Sequence, residues 1–131
     1  MSIERQVIPD DGKVFGAGVD KLETMFKQQA QFHSRMNPNF RLATEYGREL
    51  MLVGTARAII MEGAELMDEL NWKEWKSAKK DVDWVQVRYE IADLMAFVMN
   101  AAIEAGMGPD DFYQHYMRKA EVNVKRQEAG Y

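Results

Sequence analysis

From Val85 to Ile103 the chain carries charge at only three positions, Arg88, Glu90 and Asp93. At 100° per residue, the surrounding Val87, Ile91, Leu94, Met95, Val98, Met99 and Ala102 cover well over half of a helical circumference. A helix that is apolar nearly all round belongs in an interior, so this segment demands other helices around it. The remaining strip holds Gln86, Glu90, Asp93, Phe97 and Asn100. Glu90 and Asp93 are three apart and therefore point the same way, with no lysine on the strip to pair with them.

The rest of the chain supplies the partners. A first helix is expected from about Val19 to Met36, with Asp20 near its start and Asn37-Pro38-Asn39 stopping it. A second runs from about Thr44 to Leu70 without a proline. Its core face is expected to be Leu52, Val53, Ala56, Ile59, Ile60, Leu66, Met67 and Leu70. The interior helix spans roughly Asp83 to Glu104, with Gly106 or Gly108 as its C′ residue. Pro109 suits the first turn of a fourth helix reaching about Gln127. No strand alternation and no internal repeat is present. The expected class is all-α, a four-to-five-helix bundle. At 131 residues this is one domain, 19–131, preceded by an arm, 1–18, that carries Pro9, Gly12, Gly16 and Gly18.

Composition narrows the setting. The chain is 47% hydrophobic and 29% charged, a globular balance rather than a disordered one. A net charge of -4 offers no electrostatic footprint for nucleic acid or an anionic membrane, so neither is expected as a partner. The start lacks an apolar signal region, and no run approaches the ~20 apolar residues of a membrane span. The absence of cysteine excludes disulfides, a thiolate nucleophile and a cysteine-zinc site, and agrees with a cytoplasmic location.

The second helix carries Glu62 and Glu65, one turn apart, on a face that begins with Met51, Thr55 and Ala58. Small residues on that face let another helix approach, so the two acids continue a packed surface. Ionised carboxylates in such positions are costly unless paired or bound to metal. Two like charges ~5 Å apart repel by about 3 kcal/mol at an effective dielectric near 20. Oxygen-only ligands suit Mg²⁺, with Mn²⁺ as an alternative. A Glu-x-x-Glu on one helix is usually a solvated face. Two acidic pairs on two packed helices favour a metal site.

Glu62-x-x-Glu65 followed by Glu90-x-x-Asp93 resembles the all-α nucleoside triphosphate pyrophosphatases, the superfamily containing MazG and the dimeric dUTPases. The stretch Asn71 to Lys76 (NWKEWK) is similar to the segment after the first acidic pair of dimeric dUTPases. The C-terminus is similar to their ending at Lys119, Asn123, Arg126, Gln127, Gly130 and Tyr131. On the first helix, Gln29, Phe32 and His33 are in register with theirs. The resemblance covers about residues 22–131. It implies Mg²⁺-dependent hydrolysis of a nucleoside triphosphate to the monophosphate and pyrophosphate, with dUTP the first substrate and a purine such as dGTP or dATP the alternative. It also implies a homodimer or higher homo-oligomer, which the apolar helix calls for independently.

In that reading Glu62, Glu65, Glu90 and Asp93 hold metal, and one of Glu62 and Glu65 is catalytic, orienting the attacking water. Lys73, Lys76, Lys119, Asn123 and Arg126 are phosphate-binding candidates. Gln29, Phe32, His33, Trp72 and Trp75 are candidates for the base or nucleoside. Each has a blander reading: tryptophans and Phe32 as packing residues, the lysines as a solvated loop, His33 and His115 as isolated histidines without a ligand partner. The ten methionines read as adaptable core or interface. A non-catalytic helical scaffold, its acids binding a structural cation or a basic partner, also remains open.

Overall fold

The computed structural model describes residues 11–130. Its elements are α1 (Lys21–Met36), a 3₁₀ turn (Phe40–Leu42), α2 (Glu45–Asp68), α3 (Trp84–Glu104) and α4 (Pro109–Glu128). No strand occurs among the described residues. Residues 11–18 are exposed and non-helical, and the rest of the expected arm, 1–10, lies outside the described residues, as does Tyr131.

Local chemistry sets the helix starts. Asp20 accepts from the Glu23 N–H at 3.1 Å, Thr44 from Gly47 at 3.0 Å, and Asp83 from Val85 and Gln86 at 3.1 and 3.2 Å. Each cap satisfies donors that the first helical turn leaves unpaired. The end of α3 is a Schellman motif. Met107 N–H donates to the Ala102 carbonyl at 2.8 Å and Gly106 N–H to Ile103 at 3.0 Å, with Gly106 at φ 83°. Pro109 then opens α4, whose axis turns 106° from that of α3.

α2 and α3 form an antiparallel pair, because Thr55 meets Glu104 at one end while Glu62 and Glu65 meet Glu90 at the other. α1 lies alongside α3 in the same direction, through Gln29 to Asn100 and His33 to Glu104. The three helices are riveted at one carboxylate. Glu104, 3% exposed, lies 3.0 Å from His33 Nε2 and accepts from the Thr55 hydroxyl, while its backbone carbonyl accepts from Arg48 at 2.9 Å. Beside this rivet Phe26, Met99 and Ala102 form the core, flanked by Leu22, Met95, Met107 and Phe112. The Phe26 and Phe112 rings sit 5.4 Å apart and fasten α4 to α1.

Two expectations need correcting. α3 is not interior within one chain: Val87, Met99, Ala102 and Glu104 are buried, but Trp84, Val85 and Ile91 are exposed. α2 covers one flank of α3 and α1 covers its C-terminal half, leaving the remaining flank open. On α2, the expected core residues Val53, Ala56, Ile60 and Met67 face outward. The helix turns its Thr55, Ala58, Glu62 and Glu65 side toward α3 because the small residues allow closer approach there.

Candidate metal centre

Glu62 and Glu65 project from the last third of α2, and Glu90 from the second turn of α3. One oxygen from each comes within 4.8 Å of the others. At that spacing each ionised pair repels by about 3 kcal/mol at an effective dielectric near 20. Glu62 registers the conflict. Its carboxyl is pushed up to about 7 from an ordinary 4.5, first by burial, then by the charge of Glu65 and a hydrogen bond with it, then by Asp93 and Glu90. Its Oε2 is buried with no hydrogen-bond partner. A buried carboxylate oxygen left unsatisfied in a group of acids fits a hard divalent cation. The donor set, carboxylates without histidine or cysteine, fits Mg²⁺ or Mn²⁺ better than zinc. Asp93 is exposed and stands outside the three-carboxylate group, although it is close enough to raise Glu62.

Residues 69–83 close the end of the hairpin on this side. Asn71 bridges to Lys80 twice, Nδ2 to the carbonyl and Oδ1 from the N–H, both at 3.0 Å. Lys80 Nζ donates to the Asp68 carbonyl, where the C-terminal end of α2 favours a cation. Lys79 Nζ donates to the Lys73 carbonyl at 3.1 Å. These two lysines hold the loop. Lys73 and Lys76 line a cleft of about 320 Å³ together with Leu70, Asn71 and Trp72. The Trp72 indole donates to Asp68 at 3.0 Å and meets Trp75 edge-on at 5.8 Å, with the Lys73 ammonium 5.3 Å from its ring centroid. The cleft is adjacent to the carboxylates, not built on them.

The remaining candidates lie elsewhere on the helices. Gln29 is half-buried and donates to Asn100 Oδ1 at 2.9 Å; Phe32 is exposed. His33 is buried, with Nε2 against Glu104 and its ring edge-on to Phe40. His115 engages the Asp111 carbonyl of its own helix at 2.7 Å. Lys119, Asn123 and Arg126 lie exposed on α4. The cluster of half-buried Thr55 and Arg48 around buried Glu104 is absent from the expectations. Its signal was the matched spacing of Gln29 and His33 with Asn100 and Glu104, polar pairs four apart on two helices.

The helical hairpin thus presents three converging acids beside a tryptophan- and lysine-bearing loop. A family model described as dUTPase matches residues 21–111, and the chain belongs to that family. It is also similar to the dCTP pyrophosphatase of Enterobacteria phage T4, at 27% identity over 46% of this chain and 42% of that protein. The dCTP pyrophosphatase of Enterobacteria phage LZ5 is 28% identical over 46% of this chain and 41% of its own length. The match thus spans less than half the length of these curated relatives.

Proposed function

We propose that this chain hydrolyses a pyrimidine deoxynucleoside triphosphate to the monophosphate and pyrophosphate, dUTP first, in a Mg²⁺-dependent reaction. The observation that carries the reading is the convergence of Glu62, Glu65 and Glu90 within 4.8 Å, with one Glu62 oxygen buried and unsatisfied. When bound, a divalent ion supplies Lewis-acid charge at the phosphate chain and lowers the pKa of water. The three glutamates would hold it, with Asp93 at the rim, and one carboxylate of the Glu62–Glu65 pair would orient the attacking water. Lys73 and Lys76 steer the phosphates toward the cage from the loop. Gln29 offers an amide for the base.

A second reading, dCTP as substrate, is favoured by the names of the phage relatives. An amide pair such as Gln29–Asn100 presents both a donor and an acceptor, which either pyrimidine can engage. The test is pyrophosphate release with Mg²⁺ and each deoxynucleotide in turn. Release with dUTP or dCTP supports the reading. Silence with every nucleotide favours a cation-binding scaffold instead.

The active form in this reading is a homodimer. Among the described residues no large side chain is fully buried, whereas Leu50, Val53, Ile60 and Met67 form an exposed apolar stripe along α2 at spacings of three and seven. Ile60 is 71% exposed, a position that a second copy would cover.

A further inference from the structure

We infer that Lys13, Val14 and Phe15 form a strap that closes over the carboxylate site of their own chain when a nucleotide occupies it, Lys13 meeting the phosphates and the two apolar side chains shutting out water. This rests on the proposed function. Helix register brings the strap to the site. Gln29 meets Asn100 and His33 meets Glu104 at one constant offset of 71 residues, so α1 and α3 run side by side in step. Leu22 and Met95, both packed on the core of Phe26 and Met99, carry that contact on toward the cage. The same offset sets Leu22 level with Asp93, and the Asp20 cap just short of the level of Glu90. Asp93, Asn100 and Glu104 fall within about 40° of one another around α3, so Asp93 faces the side that α1 occupies. α1 therefore begins beside the mouth of the site, and the chain before it enters there.

That entering chain is free to swing. Gly12 and Gly16, at φ 69° and 71°, stand on either side of the tripeptide. Its bonds are local. The Lys13 N–H donates to the Asp11 carboxylate at 2.9 Å, and the Lys13 ammonium sits 4.7 Å from the Phe15 ring centroid. Val14 is 88% exposed and Phe15 77%, so neither belongs to the core. Packed helix axes lie about 8–10 Å apart, whereas the extended chain from Asp20 back to Phe15 or Lys13 spans up to ~17 or ~24 Å. Over an empty site closure gains little, because an acidic rim offers Val14 and Phe15 no apolar surface and ordering the glycines costs entropy. A bound nucleotide changes both terms. Its base and sugar give the apolar pair a surface to cover, and its phosphates give Lys13 an anion.

Two experiments on the full chain decide it. In the first, trypsin cuts after Lys13, and loss of residues 1–13 is followed by intact mass, with Mg²⁺ alone and with Mg²⁺ plus the α,β-imido analogue of dUTP or dCTP. The analogue should slow that cut by about tenfold. An unchanged rate with an analogue that calorimetry shows to be bound overturns the strap. Calorimetry showing neither analogue bound refutes the proposed activity, and the strap with it. In the second, V14C and Y89C are combined in a chain that has no cysteine of its own. Tyr89 is exposed one turn before Asp93, on the strap's side of the mouth. A short bis-maleimide should join the two thiols within one chain, and faster with the analogue bound. Links formed only between chains, seen as a doubled mass on a denaturing gel, or no link at all, overturn the inference.

Discussion

Glu62 is the residue on which the proposed chemistry turns, and its protonation has a direction that can be checked. Its folded value near 7 lies above the ordinary 4.5. A carboxyl raised on folding contributes most below the lower value and loses that contribution as pH climbs through the higher one. Without metal, the fold should therefore weaken between about pH 4.5 and 7, and Mg²⁺ should remove the loss. Thermal melts across that range, with Mg²⁺ and with chelator, test this. Metal affinity should fall as the solution is acidified below 7, because binding must expel the Glu62 proton. The substitution Glu62→Gln should raise the chelated melting temperature while abolishing pyrophosphate release. A fall in both would mean the carboxylate is structural. The rivet makes the opposite case. Thr55→Val withdraws a donor from buried Glu104, at a cost of about 1–3 kcal/mol measurable by urea unfolding.

For single helices, physical signals in the chain were sufficient where they were local. Asp20, Thr44 and Asp83 cap their helices because short polar side chains reach back to N–H groups two or three residues on, and that geometry is contained within the sequence. Gly106 was one of two candidates for C′, and its φ of 83° selects it. Asp83→Ala should cost about 1 kcal/mol and fray the turn before Glu90. Gly106→Ala should cost a similar amount through its backbone alone, since an added methyl would meet Arg48 only at ordinary contact distance. Amide exchange at the two ends of α3 would separate the effects. The orientation of α2 was not available from periodicity. Its apolar residues encircle enough of the helix that two faces compete, and close approach of Thr55 and Ala58 to α3 decided between them. The 3₁₀ turn after Pro38 leaves no periodic signal, being only three residues long.

At the level of the entire fold, the acidic pairs on α2 and α3 pointed to a convergence that the antiparallel pairing provides for three of the four carboxylates. Asp93 sits on the rim because it follows Glu90 by about 300° of helical rotation and so leans away from α2. Burial was harder to foresee, since one chain leaves apolar surface that only an assembly would cover. Ile60→Asp should therefore convert a dimer to monomer in sedimentation velocity. A wild-type monomer at micromolar concentration would refute the pairing.

The position of Glu104 has a mechanical corollary. The hairpin is clamped where α1, α2 and α3 meet, while its other end is joined by a looped segment and carries three mutually repelling carboxylates. It is built like a pair of tongs, hinged at one extremity and gripping at the other. Loading should slow amide exchange in the jaws, around Glu62–Glu65 and Glu90–Asp93, and leave the hinge near Glu104 unchanged.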